Sequence, residues 1–129
     1  MARYGVIGTG MMGVEHIENL NALPGAEVTA IADSDEASRE RGLAAAGTAV
    51  EGFDDHSDLL ESGRCEAVVV ATPNFTHTDI HTDVLATDLH LLVEKPLCTT
   101  VEDCRRVIEL DERRPDGSVT WVGLEYRYM

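Results

Sequence analysis

Three glycines, Gly8, Gly10 and Gly13, close a short apolar run, Tyr4-Gly5-Val6-Ile7, in the spacing GxGxxG, and an acid, Asp33, follows 20 residues after the last of them. That pattern suits a backbone wrapped around a pyrophosphate. Gly8 allows a tight turn out of a strand, Gly10 lets phosphates approach with no Cβ in the way, and Gly13 lets the next helix pack close to the sheet. The N–H groups of Met11 and Met12, at the start of that helix, can serve phosphates whatever their side chains do. Those side chains read equally as gap-filling apolar groups. Asp33 suits a hydrogen bond to an adenosine 2′-hydroxyl, and its charge repels a 2′-phosphate. With Asp35 close behind and no Arg between Asp33 and Arg39, NAD is favoured over NADP. The plain alternative for Asp33 is a helix N-cap, a role compatible with the first.

The elements that would position these residues alternate between strand-like and helix-like segments from end to end, the pattern of an α/β domain with a parallel sheet. After the first strand a helix is expected over Met12–Ala22, stopped by Leu23-Pro24-Gly25. A strand over Glu27–Ala32 leads to a helix near Asp35–Ala46, ended by Gly47. An edge segment follows at Thr48-Ala49-Val50, then a short helix over Asp54–Glu61. Ala67-Val68-Val69-Val70-Ala71 is a continuous β-branched run of the kind buried on both faces. A helix over Thr76–Thr87 and a strand over His90–Val93 come next. Thr99 as N-cap and Glu102 three residues on form a capping box for a helix running to about Arg113, and Ser118–Gly123 makes the last strand. Six strands give a doubly wound Rossmann sheet in the order 3-2-1-4-5-6, one domain over residues 1–129. Ligands bind such sheets outside the carboxyl ends of the strands, at the switch in strand order. The tips there are Gly8 to Gly13, Asp33, Ala71 to Asn74, and Glu94 to Pro96.

The bulk composition narrows the function classes. The net charge is −14, with 24 acids against 10 basic residues, and the single lysine is Lys95. A field of that sign repels nucleic acid and anionic membranes, and carboxylate-rich, lysine-poor compositions resemble those of halophilic proteins. No apolar run approaches a membrane span and no leader is evident, so a cytoplasmic protein is expected. Cys65, Cys98 and Cys104 are odd in number and form no CxxC, which suggests neither a disulfide framework nor a zinc knuckle. In a chain that otherwise avoids lysine, Lys95 stands out as a residue with a task.

Two further tips carry a specific pattern: Ala71-Thr72-Pro73-Asn74 followed by His77, and Val93-Glu94-Lys95-Pro96-Leu97. Together with the glycine fingerprint they resemble the amino-terminal domain of the Gfo/Idh/MocA oxidoreductases, the glucose-fructose oxidoreductase and inositol dehydrogenase family, over essentially the whole chain. The resemblance implies that Gly8, Thr9, Gly10, Met11 and Met12 line the pyrophosphate and that Asp33 holds the adenosine ribose. It implies that Thr72, Pro73 and Asn74 lie against the nicotinamide half, with His77 helping to fix that loop. Glu94 and Lys95 would sit beside the nicotinamide ribose and substrate, and Pro96 would set the turn, often through a cis peptide.

Lys95 is the candidate catalytic residue, because an ammonium near C4 of a nicotinamide can hydrogen-bond a substrate hydroxyl and stabilise developing alkoxide charge. Glu94 would steady that lysine or pair with it, and the plain reading of the two is a solvated surface pair. His77 and His81 have a spacing that could bind zinc, but no acid or cysteine completes a motif, and no metal site is expected. His77 could equally cap its helix or satisfy a loop carbonyl, and His16 reads as structural.

The ending, Gly123-Leu124-Glu125-Tyr126-Arg127-Tyr128, resembles the family's last strand before a second domain, with Glu125 where the family often has Asn. That second domain supplies most substrate contacts and an Asp/His pair in family members, and it is expected to be absent here. The chain is therefore expected to be the cofactor-binding half of an oxidoreductase acting on a sugar, cyclitol or related alcohol. A stand-alone dinucleotide-sensing module and a nonfunctional fragment are the alternatives. Exposed apolar surface left by a missing domain would favour self-association.

Overall fold

The computed structural model describes residues 1–123, so the ending from Leu124, with the question of Glu125, lies outside the described residues. Six strands form one parallel sheet: β1 (Ala2–Ile7), β2 (Ala26–Ala32), β3 (Glu51–Phe53), β4 (Ala67–Val70), β5 (His90–Glu94) and β6 (Thr120–Gly123). Their order is β3-β2-β1-β4-β5-β6, the expected doubly wound arrangement, with the switch between β1 and β4. Five α-helices connect them: α1 (Met11–Ala22), α2 (Glu36–Ala46), α3 (His56–Glu61), α4 (His77–Leu85) and α5 (Val101–Glu112). A 3₁₀ turn over Asn74–Thr76 leads into α4.

Side chains alternate across the strands, so each face of the sheet builds its own core. Val6, Val28, Ile31 and Val69 meet Ile17 of α1 and Leu43 of α2 on one side. Ile7, Ala30, Val68, Val70, Leu91 and Val93 meet Leu59 of α3, Ile80 and Val84 of α4, and Val107 of α5 on the other. Val68, Val70 and Val93 are fully buried, which is why β4 reads as an unbroken β-branched run. Cys65 and Cys98 are buried free thiols, and burial pushes both above the usual thiol range.

Two local expectations need correction, and one alternative reading falls away. β3 lies at Glu51–Phe53, not at Thr48-Ala49-Val50, because pairing of Ala30–Ala32 with residues 51–53 defines this edge strand in place of its own propensity. The N-cap of α5 is Thr100, whose hydroxyl accepts from Asp103 N at 3.1 Å, so the Thr99/Glu102 box does not form. The N-cap of α2 is Asp35, which accepts from Ser38 N at 2.9 Å, and Asp33 has a different task. Backbone donation from Ser38 holds the Asp35 carboxyl below its ordinary range.

His81 of α4 is fully buried, with neither ring nitrogen hydrogen-bonded among the described residues, and its ring centroid lies 5.0 Å from that of His77. Burial, with a smaller contribution from His77, lowers its pKa from 6.5 to about 4. The unfolded chain therefore binds a proton at this site between pH 6.5 and 4 while the folded one does not, so stability falls as pH falls through that window. Urea unfolding at pH 7, 6, 5 and 4.5 should show this as a slope steeper than that of His81→Leu by about 1.4 kcal/mol per pH unit. Parallel slopes would mean that His81 titrates alike in both states.

Candidate dinucleotide site

The turn from β1 into α1 is built by contact between backbones. Gly8 has φ +93°, open to glycine at little cost, and a Cβ there would meet Ala71 O at 2.7 Å. A Cβ on Gly13 would stand 1.8 Å from Gly8 O, so α1 can begin where it does only with glycine at this position. Gly10 differs from both. Nothing lies within 4 Å of a Cβ built on it, and it caps α1 with no side chain bonded to the free N–H groups of the first turn. Space and unsatisfied donors together make an anion seat.

Asp33 is fixed from the same turn. Its Oδ2 accepts from Thr9 N at 2.8 Å and from Thr9 Oγ1 at 3.3 Å, and its Oδ1 accepts from Asp35 N at 2.8 Å. Thr9 is fully buried, and its hydroxyl also donates to Ser38 O at 2.6 Å. Thr9 thus sits behind the loop, orienting Asp33, and does not line the cleft as the family pattern implied. Arg39, whose guanidinium donates to Asp33 O at 2.9 Å, is brought to this corner by α2.

The cleft outside the carboxyl ends of β1, β2 and β4 has a volume of about 1060 Å³. It gathers Gly8, Gly10, Met11, Met12, Asp33, Thr72 and Pro73, seven of the expected contacts. It is also lined by Asp35, Asp54, Asp55 and Asp79, and by the exposed ring of Phe75. Of these, Asp54, Asp55, Phe75 and Asp79 were missed because no local motif marks them; strand tips and helix starts distant in sequence bring them together.

Asn74, His77, Glu94 and Lys95 lie outside that cavity. Asn74 is exposed at the start of the 3₁₀ turn. His77 is fully buried beneath it, with Nδ1 2.8 Å from Pro96 O and Nε2 3.0 Å from Thr72 O. It therefore staples the β4 loop to the β5 loop, where the Lys95–Pro96 peptide is cis. Both acceptors are carbonyls, so a neutral ring donates to one at a time and an imidazolium to both. Lys95 is exposed. Glu94 does not pair with it: among the described residues its carboxylate partner is His16 of α1, whose Nε2–H donates to Oε1 in a short contact.

Against known proteins, the model of an oxidoreductase family with an NAD-binding Rossmann fold, Gfo/Idh/MocA, matches residues 2–123. The chain belongs to this family. It is 42% identical over 108 residues to an inositol 2-dehydrogenase of Rubrobacter xylanophilus, covering 83% of this chain and 30% of that protein. It is 35% identical over 111 residues to the rhizopine catabolism protein MocA of Rhizobium meliloti, covering 86% and 34%. The fold superimposes with a TM-score of 0.93 and 34% identity on a myo-inositol dehydrogenase of Lactobacillus casei solved with NAD(H) and myo-inositol, over 100% of this chain and 38% of that one. A 3-ketoreductase of Actinomadura kijaniata solved with NADP matches at a TM-score of 0.87 and 27% identity, over 99% and 38%. The chain thus spans about a third of the length of the curated relatives it matches. Residues 2–123 form the family's NAD-binding Rossmann domain.

The geometry separates two glycines that the sequence pattern treats alike. Gly10→Val should leave the thermal melt within about 1 kcal/mol of wild type, the scale of an N-cap change, while abolishing dinucleotide binding. Gly13→Ala should destabilise by about 3 kcal/mol or more, because its Cβ meets backbone that cannot move aside. Similar melts for the two would refute the close approach of α1 to Gly8.

Proposed function

We propose that this chain is the cofactor half of an NAD-dependent dehydrogenase acting on a cyclitol of the inositol class or a related polyol, with residues 1–129 forming one dinucleotide-binding domain. The observation that carries this reading is the open, uncapped α1 terminus at Gly10 beside an Asp33 carboxylate held in place by Thr9 and Asp35. The names of the relatives supply the substrate class. Bound NAD would accept or return hydride at its nicotinamide ring.

This chain's residues have separate tasks. The first N–H groups of α1, at Met11 and Met12, receive the pyrophosphate. Asp33 accepts from the adenosine ribose with the lone-pair capacity left after its three internal bonds. Asp35, Asp54 and Asp55 surround that end of the cleft with negative charge, which disfavours the additional phosphate of NADP. Thr72, Pro73 and Asn74 form one wall of the nicotinamide half, held to the opposite wall by His77. Lys95, with its ammonium unpaired among the described residues, would hydrogen-bond the substrate hydroxyl and hold the alkoxide charge as hydride leaves. Which polyol is taken is not fixed by the fold alone.

Calorimetric titration of the 129-residue chain should give saturable binding with NAD preferred over NADP. Asp33→Asn, which keeps one acceptor oxygen, should narrow that preference by about tenfold, or ~1.4 kcal/mol. A folded chain that binds neither nucleotide would overturn the reading. In a full-length enzyme carrying this domain, Lys95→Ala should keep NAD affinity within about twofold and lower kcat by at least a hundredfold, the scale of one acid–base or alkoxide-stabilising group. Unchanged kcat would return Lys95 to a surface role.

A further inference from the structure

Two strand-tip carboxylates, Asp33 lining the cleft and Glu94 outside it, are each oriented from the α1 side. Asp33, at the tip of β2, is held by Thr9 of the glycine turn. Glu94 is the last residue of β5, and the imidazole of His16, in the second turn of α1, donates to its Oε1. The His16 and Glu94 side chains are only 23% and 21% exposed, so this charge-assisted contact is shielded from solvent on most sides. The adenosine end is set by Asp33 at β2 and the pyrophosphate seat by α1. The second nucleoside of a dinucleotide must then run over the tips of β4 and β5, where Glu94 stands. A carboxylate beside the chain's single ammonium would be expected to turn toward it. Instead Glu94 is drawn across to α1, and among the described residues no ion pair joins it to Lys95.

We propose that His16 is a positioning residue for the nicotinamide half of the site: it holds Glu94 in the orientation that accepts from the ribose diol and keeps that carboxylate off Lys95. The geometry matches that of Asp33, a strand-tip acid locked so that lone pairs remain for a hydroxyl pair. This inference rests on the cleft being an NAD site.

The test compares two ligands on the 129-residue chain: NAD, and ADP, which carries the adenosine and pyrophosphate but no nicotinamide riboside. His16→Leu should weaken NAD about tenfold, the worth of one hydrogen bond to a charged group, and leave ADP within about twofold. His16→Gln, whose amide N–H can reach the place of Nε2–H, should recover most of the lost NAD affinity. NAD affinity unchanged in His16→Leu overturns the inference. So does an equal loss of NAD and ADP, which would mark His16 as a support for the glycine turn alone, and so does a Gln variant no better than Leu. Failure of the cleft itself is seen before any variant is made: wild-type chain that binds ADP and not NAD, or neither, overturns the proposed function and this inference with it.

Discussion

The close approach of α1 to the end of β1 is the constraint on which the rest of the site depends. With Gly13 against the Gly8 carbonyl, at a separation no Cβ could occupy, the axis of α1 points its free N–H groups into the cleft and brings its second turn within reach of β5. Thr9 is driven into the interior by the same turn and becomes the lock on Asp33. The open α1 terminus, the fixed Asp33 carboxylate and the His16–Glu94 contact are therefore three consequences of one backbone contact.

Rigidity at the other end comes from a buried side chain. His77 occupies the space between the β4 and β5 loops and hydrogen-bonds a carbonyl of each. The tips bearing Thr72 and Lys95 are thereby held as a unit, although 23 residues separate them. His81, one helical turn on, has no such partners among the described residues, and burial lowers its pKa. Two histidines with metal-ligand spacing thus have unlike roles, because one faces loop carbonyls and the other faces the core.

Charge is distributed to match. The cleft is lined by Asp33, Asp35, Asp54, Asp55 and Asp79, while the donors offered to it at Gly10 are helix N–H groups in place of cationic side chains. A chain of net charge −14 can hold an anionic cofactor in this way, because backbone donors provide a local positive end that the overall field does not cancel. Among the described residues no helix is long and apolar enough to cross a membrane.

Strand order, the glycine turn and the acid at the end of β2 were legible in the sequence, because each depends on local stereochemistry: periodicity, absence of a Cβ, an acid at a strand end. The cis Lys95–Pro96 bond and the stapling role of His77 followed from the motif's resemblance to its family. What the sequence left open were choices between near-equivalent local options. Thr99 and Thr100 both begin a capping pattern, and the loop entering α5 selects Thr100. Strand formers fall on both halves of residues 48–53, Thr48 and Val50 in one and Phe53 in the other, and hydrogen bonding to β2 selects Glu51–Phe53. Contacts between distant segments were invisible for a different reason. His16 reads as an ordinary helical residue, and Glu94 as the partner of its neighbour Lys95, until α1 and β5 are set side by side. The sequence by itself determined which groups exist and which turns they sit on; only the tertiary structure decided which groups face each other, because that depends on the packing of helices across the sheet.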